Sequence, residues 1–119
     1  MQLRIGNRTL NDGITIIDCA GRLIFGEETA ALRDRVKGLI SQGSRIILNL
    51  ADVTYIDSGG LGTLVALYTT ARNAGGAIKL ARLTPRVGDL LQVTKLLTVF
   101  EVYNSEEEAA QSFREGVAA

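Results

Sequence analysis

The chain contains no histidine. That absence removes a Ser-His-Asp triad, a histidine general base and a His-ligated zinc site. It has one cysteine, Cys19, so neither an internal disulfide nor a cysteine-rich metal cluster can form. A lone thiol fits a reduced setting, and Cys19 reads as a small apolar filler. An excess of either charge is also missing. Thirteen basic and thirteen acidic residues cancel over 119 residues, so nothing in the balance points to nucleic acid or an anionic membrane. Near-zero net charge is compatible with ready association with a protein partner. Long apolar runs are lacking as well. The longest charge-free stretch, Ser58 to Ala71, carries glycine and threonine and is too short to span a bilayer. The first residues, Met1 to Arg8, lack the apolar core of a signal peptide. Together these absences lead us to expect a soluble cytoplasmic protein.

Hydrophobic residues make up 46% of the sequence and charged residues 22%, the balance of an ordinary globular domain. A chain of this length buries roughly 65% of its unfolded surface, and no repeat or linker divides it. One domain over residues 1–119 is expected. Residues 3–9 and 14–20 read as two strands joined by the turn-forming Asn11, Asp12 and Gly13, with Gly21 ending the second. Residues 22–26 read as a loop, and Glu27 and Glu28 open a helix whose dipole they suit. Phe25, Thr29, Leu32, Val36, Leu39 and Ile40 fall on its apolar face, and Gly43 is its stop. Residues 45–50 are a buried strand and 77–81 another. Thr84 and Pro85 start a helix, with threonine capping and proline at the first position; Val87, Leu90 and Leu91 face inward and the helix fades near Thr94. Val99 to Tyr103 is a short last strand. Ser105 and Glu108 form a capping box before a helix carrying Ala109, Phe113 and Val117. Alternating strands and helices predict an α/β fold with a mixed four- or five-stranded sheet and about four helices. The pattern leaves open whether the helices cover one face or both.

The stretch Asp57-Ser58-Gly59-Gly60-Leu61-Gly62 carries the chemistry. It joins the strand at 45–50 to a helix marked by Leu61, Leu64, Val65, Tyr68 and Ala71 and closed by Asn73 to Gly76. Ser58 falls at or next to the N-cap, where a side-chain oxygen can take an orphan amide. The same place suits an anion, and Gly59 and Gly60 admit close approach.

Four readings of this stretch are available. As a nucleophile, Ser58 lacks a base, because Asp57 beside it is a weak one at an ordinary pKa and no Gly-x-Ser-x-Gly elbow exists. As a nucleotide cradle, the glycines lack the lysine and following hydroxyl of a P-loop and do not match the dinucleotide fingerprint. As a phosphorylation substrate, Ser58 would gain nearly two negative charges and three acceptors at an exposed helix start. A docked partner would feel that change strongly, since an unpaired anion in a desolvated interface is costly. As plain structure, Asp57 and Ser58 cap the helix and the glycines allow packing.

The motif, preceded by Ile46-Ile47-Leu48-Asn49-Leu50 and Val53-Thr54-Tyr55-Ile56, resembles the STAS family, and more closely its stand-alone bacterial anti-sigma-factor antagonists. Gly21, Gly75-Gly76 and Thr84-Pro85 fit the same pattern over nearly the whole chain. The resemblance implies a single STAS-type domain that is not an enzyme and needs no cofactor or metal. It implies phosphorylation of Ser58 by a nucleotide-bound anti-sigma-factor serine kinase, sequestration of that kinase by the unphosphorylated form, and resetting by a serine phosphatase. The docking surface would be Asp57, Ser58, Gly59, Gly60, Leu61 and Gly62. Neither direct nucleic-acid binding nor membrane insertion is implied. STAS domains also serve as scaffolds or transporter-associated subunits, which is the alternative. One departure stands out. Where the family commonly has Gly-x-Leu-Asp after the second strand, this chain has Gly21-Arg22-Leu23-Ile24, with acids only at Glu27 and Glu28.

Overall fold

The computed structural model describes residues 3–10, 12–43 and 45–118. The elements alternate as strands β1 (Arg4–Thr9) and β2 (Ile14–Leu23), helix α1 (Glu27–Ile40), strand β3 (Arg45–Ile56), helix α2 (Ser58–Asn73), strand β4 (Ala77–Ala81), helix α3 (Pro85–Val93), a 3-10 turn (Leu96–Thr98), strand β5 (Val102–Tyr103) and helix α4 (Glu106–Ala118). The five strands lie in sequence order, with β1 antiparallel to β2 and every later pair parallel. This is the expected α/β fold with a five-stranded mixed sheet and four helices.

Successive side chains on a strand point to opposite faces, and the central strands use both faces. Ile17, Cys19, Ile46, Leu48, Leu50, Ile78 and Leu80 point into the larger core, where they meet Leu32, Val36 and Ile40 of α1, Leu64, Leu67 and Ala71 of α2, and Val87 and Leu91 of α3. Ile14, Ile16, Ile47 and Ala81 point the other way and meet Ala109, Ala110 and Phe113 of α4. Helices therefore cover both faces, three on one and a single helix on the other. Near-continuous apolar runs such as Ile46 to Leu50 follow from this double coverage. Burial in the larger core pushes the Cys19 thiol up to about 12, so it stays a neutral apolar group, as read from the sequence.

The lone helix is held partly by polar groups. Arg8 of β1 makes a two-pronged contact with Asp18 of β2 at 2.7 and 2.8 Å and reaches Glu106 of α4 at 2.5 Å. The Asn49 amide donates to the same Glu106 carboxylate. Buried Lys79 donates to Ser112 at 2.6 Å, and its ammonium lies 4.4 Å from the centroid of the Phe113 ring. No buried side-chain polar atom among the described residues lacks a partner, which is the condition under which such a layer is tolerable.

Several boundaries differ from the sequence reading. Strand β2 continues through Gly21 to Leu23 and β3 continues to Ile56, because the two pair along their full lengths and absorb two register shifts on the way. Pairing, which is non-local, overrides the local glycine signal. Phe25 is not on the apolar face of α1. It precedes the helix and is 77% exposed. The last strand shrinks to Val102–Tyr103 because Leu96 to Thr98 form a 3-10 turn. Within α3, Val87 and Leu91 are buried while Leu90 is only half-buried. The stop at Gly43 is as read, with φ +74° and its N–H on Ile40 O at 2.8 Å. Thr84 caps α3 through the Val87 amide at 3.3 Å, and Ser105 accepts the Glu108 amide at 3.0 Å. Asn11 and the side chain of Val117 lie outside the described residues.

Phe113 anchors the only helix on its face among the described elements. Phe113→Ala should lower unfolding free energy by about 3–5 kcal/mol, read by urea denaturation. A loss below 1 kcal/mol would mean that α4 is not an integral layer.

Candidate functional site

Strand β3 ends at Ile56, and one extended residue, Asp57 (φ −104°, ψ −178°), separates it from α2. Asp57 is the N-cap. Its Oδ1 accepts the Gly60 amide at 2.7 Å, leaving the chain in the geometry that starts a helix. Both carboxylate oxygens also lie 3.2 Å from the Phe25 amide, in the loop between β2 and α1. The Asp57 N–H donates to Leu23 O at 3.3 Å. One residue thus caps α2 and ties it to the end of the neighbouring strand. The amide of Gly60 above all, and then that of Phe25, holds the Asp57 carboxyl below the usual carboxylate range.

That arrangement puts Ser58 next to the N-cap, one of the two placements read from the sequence. The serine is the first residue of α2, not its cap; it is exposed, and its hydroxyl makes no hydrogen bond among the described residues. Its oxygen is therefore free at the positive end of a sixteen-residue helix.

The glycines divide into two kinds. A Cβ on Gly60 would fall onto the Leu23 carbonyl, 2.8 Å from its carbon and nearer still to its oxygen; one on Gly59 would lie 3.1 Å from Phe25 Cα and closer to Phe25 Cβ. Both glycines are required because the β2–α1 loop lies directly on the helix start. Gly62 faces open space. Leu61 packs at the edge of the larger core. Of the six residues singled out from the sequence, Asp57, Gly59, Gly60 and Leu61 are engaged by the fold, and Ser58 and Gly62 face outward.

Glu27 and Glu28 sit in the first turn of α1, and among the described residues neither hydrogen bonds to Asp57 or Ser58. Sequence reasoning missed other neighbours. Exposed Phe25 lies beside Gly59, and Tyr55, 37% exposed, carries Arg22 and Arg86 against its ring. The available signal was Gly26, whose φ of +135° marks a turn that detaches Phe25 from the helix. Among the described residues no group of three metal-ligating side chains is assembled, and no helix is long and apolar enough to cross a membrane.

The chain belongs to the STAS domain family, which matches residues 7–109. It is 32% identical over 80 residues to the anti-sigma-B factor antagonist of Bacillus subtilis, covering 67% of this chain and 73% of that one. Its fold superposes on the crystal structure of the Thermotoga maritima protein TM1081 with a TM-score of 0.83 and 25% identity, over 92% of this chain and 94% of the other. It also superposes on the Bacillus anti-sigma factor antagonist SpoIIAA. The unphosphorylated form gives a TM-score of 0.78 at 22% identity, over 94% and 97% of the two chains. The phosphorylated form gives 0.72 at 20% identity, over 92% and 99%. Each of these relatives is named as an anti-sigma factor antagonist or a candidate for that role.

Two substitutions separate the roles of the glycines. Gly60→Ala should destabilise by about 1–3 kcal/mol because its methyl group meets backbone, whereas Gly62→Ala should stabilise by roughly 0.5–1 kcal/mol through helix propensity; chemical denaturation of both reads the contrast. Asp57, with its pKa lowered on folding, contributes stability above the ordinary carboxylate pKa of about 3.9, and that contribution fades as pH falls through the folded value. The stability gap between the parent and Asp57→Ala should therefore be full at neutral pH and narrow only as pH falls below the ordinary carboxylate value of about 3.9. A gap that widened in acid would refute the cap's charged role.

Proposed function

We propose that this chain is an anti-sigma-factor antagonist that sequesters a nucleotide-bound anti-sigma serine kinase while unphosphorylated, and is switched off by phosphorylation at Ser58. One observation carries the reading: Ser58 presents an exposed, uncommitted hydroxyl at the first position of α2, while Asp57 alone does the capping. Had the serine been the cap, phosphorylation would have cost the helix its start. As the residues stand, the switch can act on a partner without dismantling the fold.

In the proposed cycle the Ser58 oxygen attacks the γ-phosphorus of the kinase's nucleotide. The bond to the leaving diphosphate breaks, and the hydroxyl proton passes to a base on the kinase. Asp57 does not serve as that base, because its lowered pKa and its amide partners make it a poor one. The product phosphate sits at the positive end of α2, which favours it, and beside the Asp57 carboxylate, which repels it. A kinase surface packed against Asp57, Ser58 and the Gly59 to Gly62 turn would then face an unpaired dianion. A penalty of several kcal/mol in such a desolvated contact is on the order of a hundredfold or more in affinity. A serine phosphatase resets the cycle, in the cytoplasm where the sigma factor works.

A second reading, a STAS subunit of a larger assembly whose serine is never modified, is favoured by one specific feature: among the described residues neither Glu27 nor Glu28 hydrogen bonds to Asp57 or Ser58.

Intact-mass measurement and peptide mapping of the protein from its own cells, with and without phosphatase treatment, decide between the two. A single phosphatase-sensitive phosphate on Ser58 is expected; unmodified protein across several growth conditions favours the assembly subunit. With the cognate kinase in hand, Ser58→Asp should weaken binding at least about tenfold. Equal binding by parent and variant would eliminate the charge switch.

A further inference from the structure

Arg22 and Tyr55 are opposite one another where β2 and β3 pair, and the ladder runs on through Leu23 and Ile56 to the contact between Phe25 and Asp57. The Arg22 guanidinium carbon lies 5.4 Å from the Tyr55 ring centroid. Arg86, in the first turn of α3, approaches the same ring at 5.6 Å. A phenol ring attracts cations to its face, yet here it holds two that repel each other. Neither arginine belongs to an ion pair among the described residues, where every pair instead uses Arg8, Lys79 or Arg114. Beside them opens a hollow of about 760 Å³ to which Arg4 and Arg86 contribute, with Asp52 as the one acid in its wall. Tyr55 is three residues from Ser58, within about 10 Å along the chain, and Phe25 is the most exposed large apolar side chain described.

We propose that Arg22, Tyr55 and Arg86, with Phe25 at the margin, form a docking face for an acidic protein segment. Carboxylates of the segment would engage the two guanidiniums, whose planar donors match them, and an apolar side chain would cover Phe25. A protein segment fits better than a nucleic acid, because the basic residues are few, the chain is neutral overall, and a phosphate polymer needs a broad basic field. The inference deepens the reading of Ser58 as a docking site and rests on it for one element: the segment belongs to the same partner. Phosphate on Ser58, within about 10 Å of Tyr55 along the chain, then repels the segment's carboxylates, which gives the switch its direction.

The test is an amide-resolved NMR titration of the full unphosphorylated chain with two synthetic peptides of equal length, one alternating glutamate with leucine and the other lysine with leucine. The acidic peptide should shift the amides of Arg22, Phe25, Tyr55 and Arg86. The basic one should not, and the acidic peptide's affinity should fall as salt rises. Arg22→Gln combined with Arg86→Gln should weaken binding about tenfold; if the double variant loses its dispersed spectrum, Arg86→Gln alone, on the exposed surface of α3, should weaken binding about threefold. Equal shifts from the lysine peptide, shifts centred elsewhere, the same shifts from oligothymidylate, or arginine variants that bind like the parent would each overturn the proposal. The titration involves no kinase and no phosphate. Its failure therefore leaves the mapping of Ser58 untouched, and an unmodified Ser58 leaves the titration untouched.

Discussion

The carboxylate of Asp57 is the constraint on which the candidate site depends. It accepts the Gly60 amide and the Phe25 amide together, so it fixes where α2 begins and how closely the β2–α1 loop lies against that beginning. Short contacts follow directly. With the loop held there, no Cβ fits at Gly59 or Gly60, and Phe25 has nowhere to go but outward. The exposure of the Ser58 hydroxyl has the same origin, because the cap position is already taken. A charged cap that accepts two amides is stronger than a neutral one, and it gives the corner a fixed geometry.

Behind that corner the sheet supplies rigidity. Strands β2 and β3 are long, pair with each other in parallel, and bury side chains on both faces. Parallel pairing needs crossovers, and the β3–α2–β4 unit supplies one in which the turn carries the site. The corner therefore sits at the carboxyl end of the central strands, where loops in α/β sheets are held in place and still open to solvent. The opposite face, closed by α4 with a small apolar core and the Arg8, Asp18, Glu106 and Asn49 cluster, stabilises the domain without touching the corner. The exposed corner and this structural support are separate parts of the fold.

The corner at residues 57–62 leaves side chains open to solvent. What it offers is surface: an uncommitted serine, an exposed phenyl ring and a tyrosine bracketed by arginines. These are features that a second protein can recognise and that a charge added at one oxygen can alter. Membership of the STAS domain family and similarity to the anti-sigma-B factor antagonist of Bacillus subtilis agree with a regulatory module.

Much of this was legible in the sequence because the determining interactions are local. Helix starts at Thr84–Pro85 and Ser105–Glu108, the stop at Gly43 and the apolar alternation of Ile46 to Leu50 depend on residues a few positions apart, so pattern alone reveals them. The Asp57 to Gly62 motif was legible as a helix start for the same reason. Tertiary structure decided what depends on distant partners. The full length of β2 and β3 comes from their pairing, which a glycine at position 21 does not interrupt. The assignment of the cap to Asp57 rather than Ser58 comes from a loop more than thirty residues earlier in the chain. The outward turn of Phe25 and the meeting of Arg22, Tyr55 and Arg86 come from three separate elements converging. Sequence by itself determined that residues 57–62 form a glycine-rich helix start with a serine in it. Only the packed sheet decided which atoms of that turn are used by the fold and which are left open to solvent, because that choice is made by backbone brought in from elsewhere in the chain.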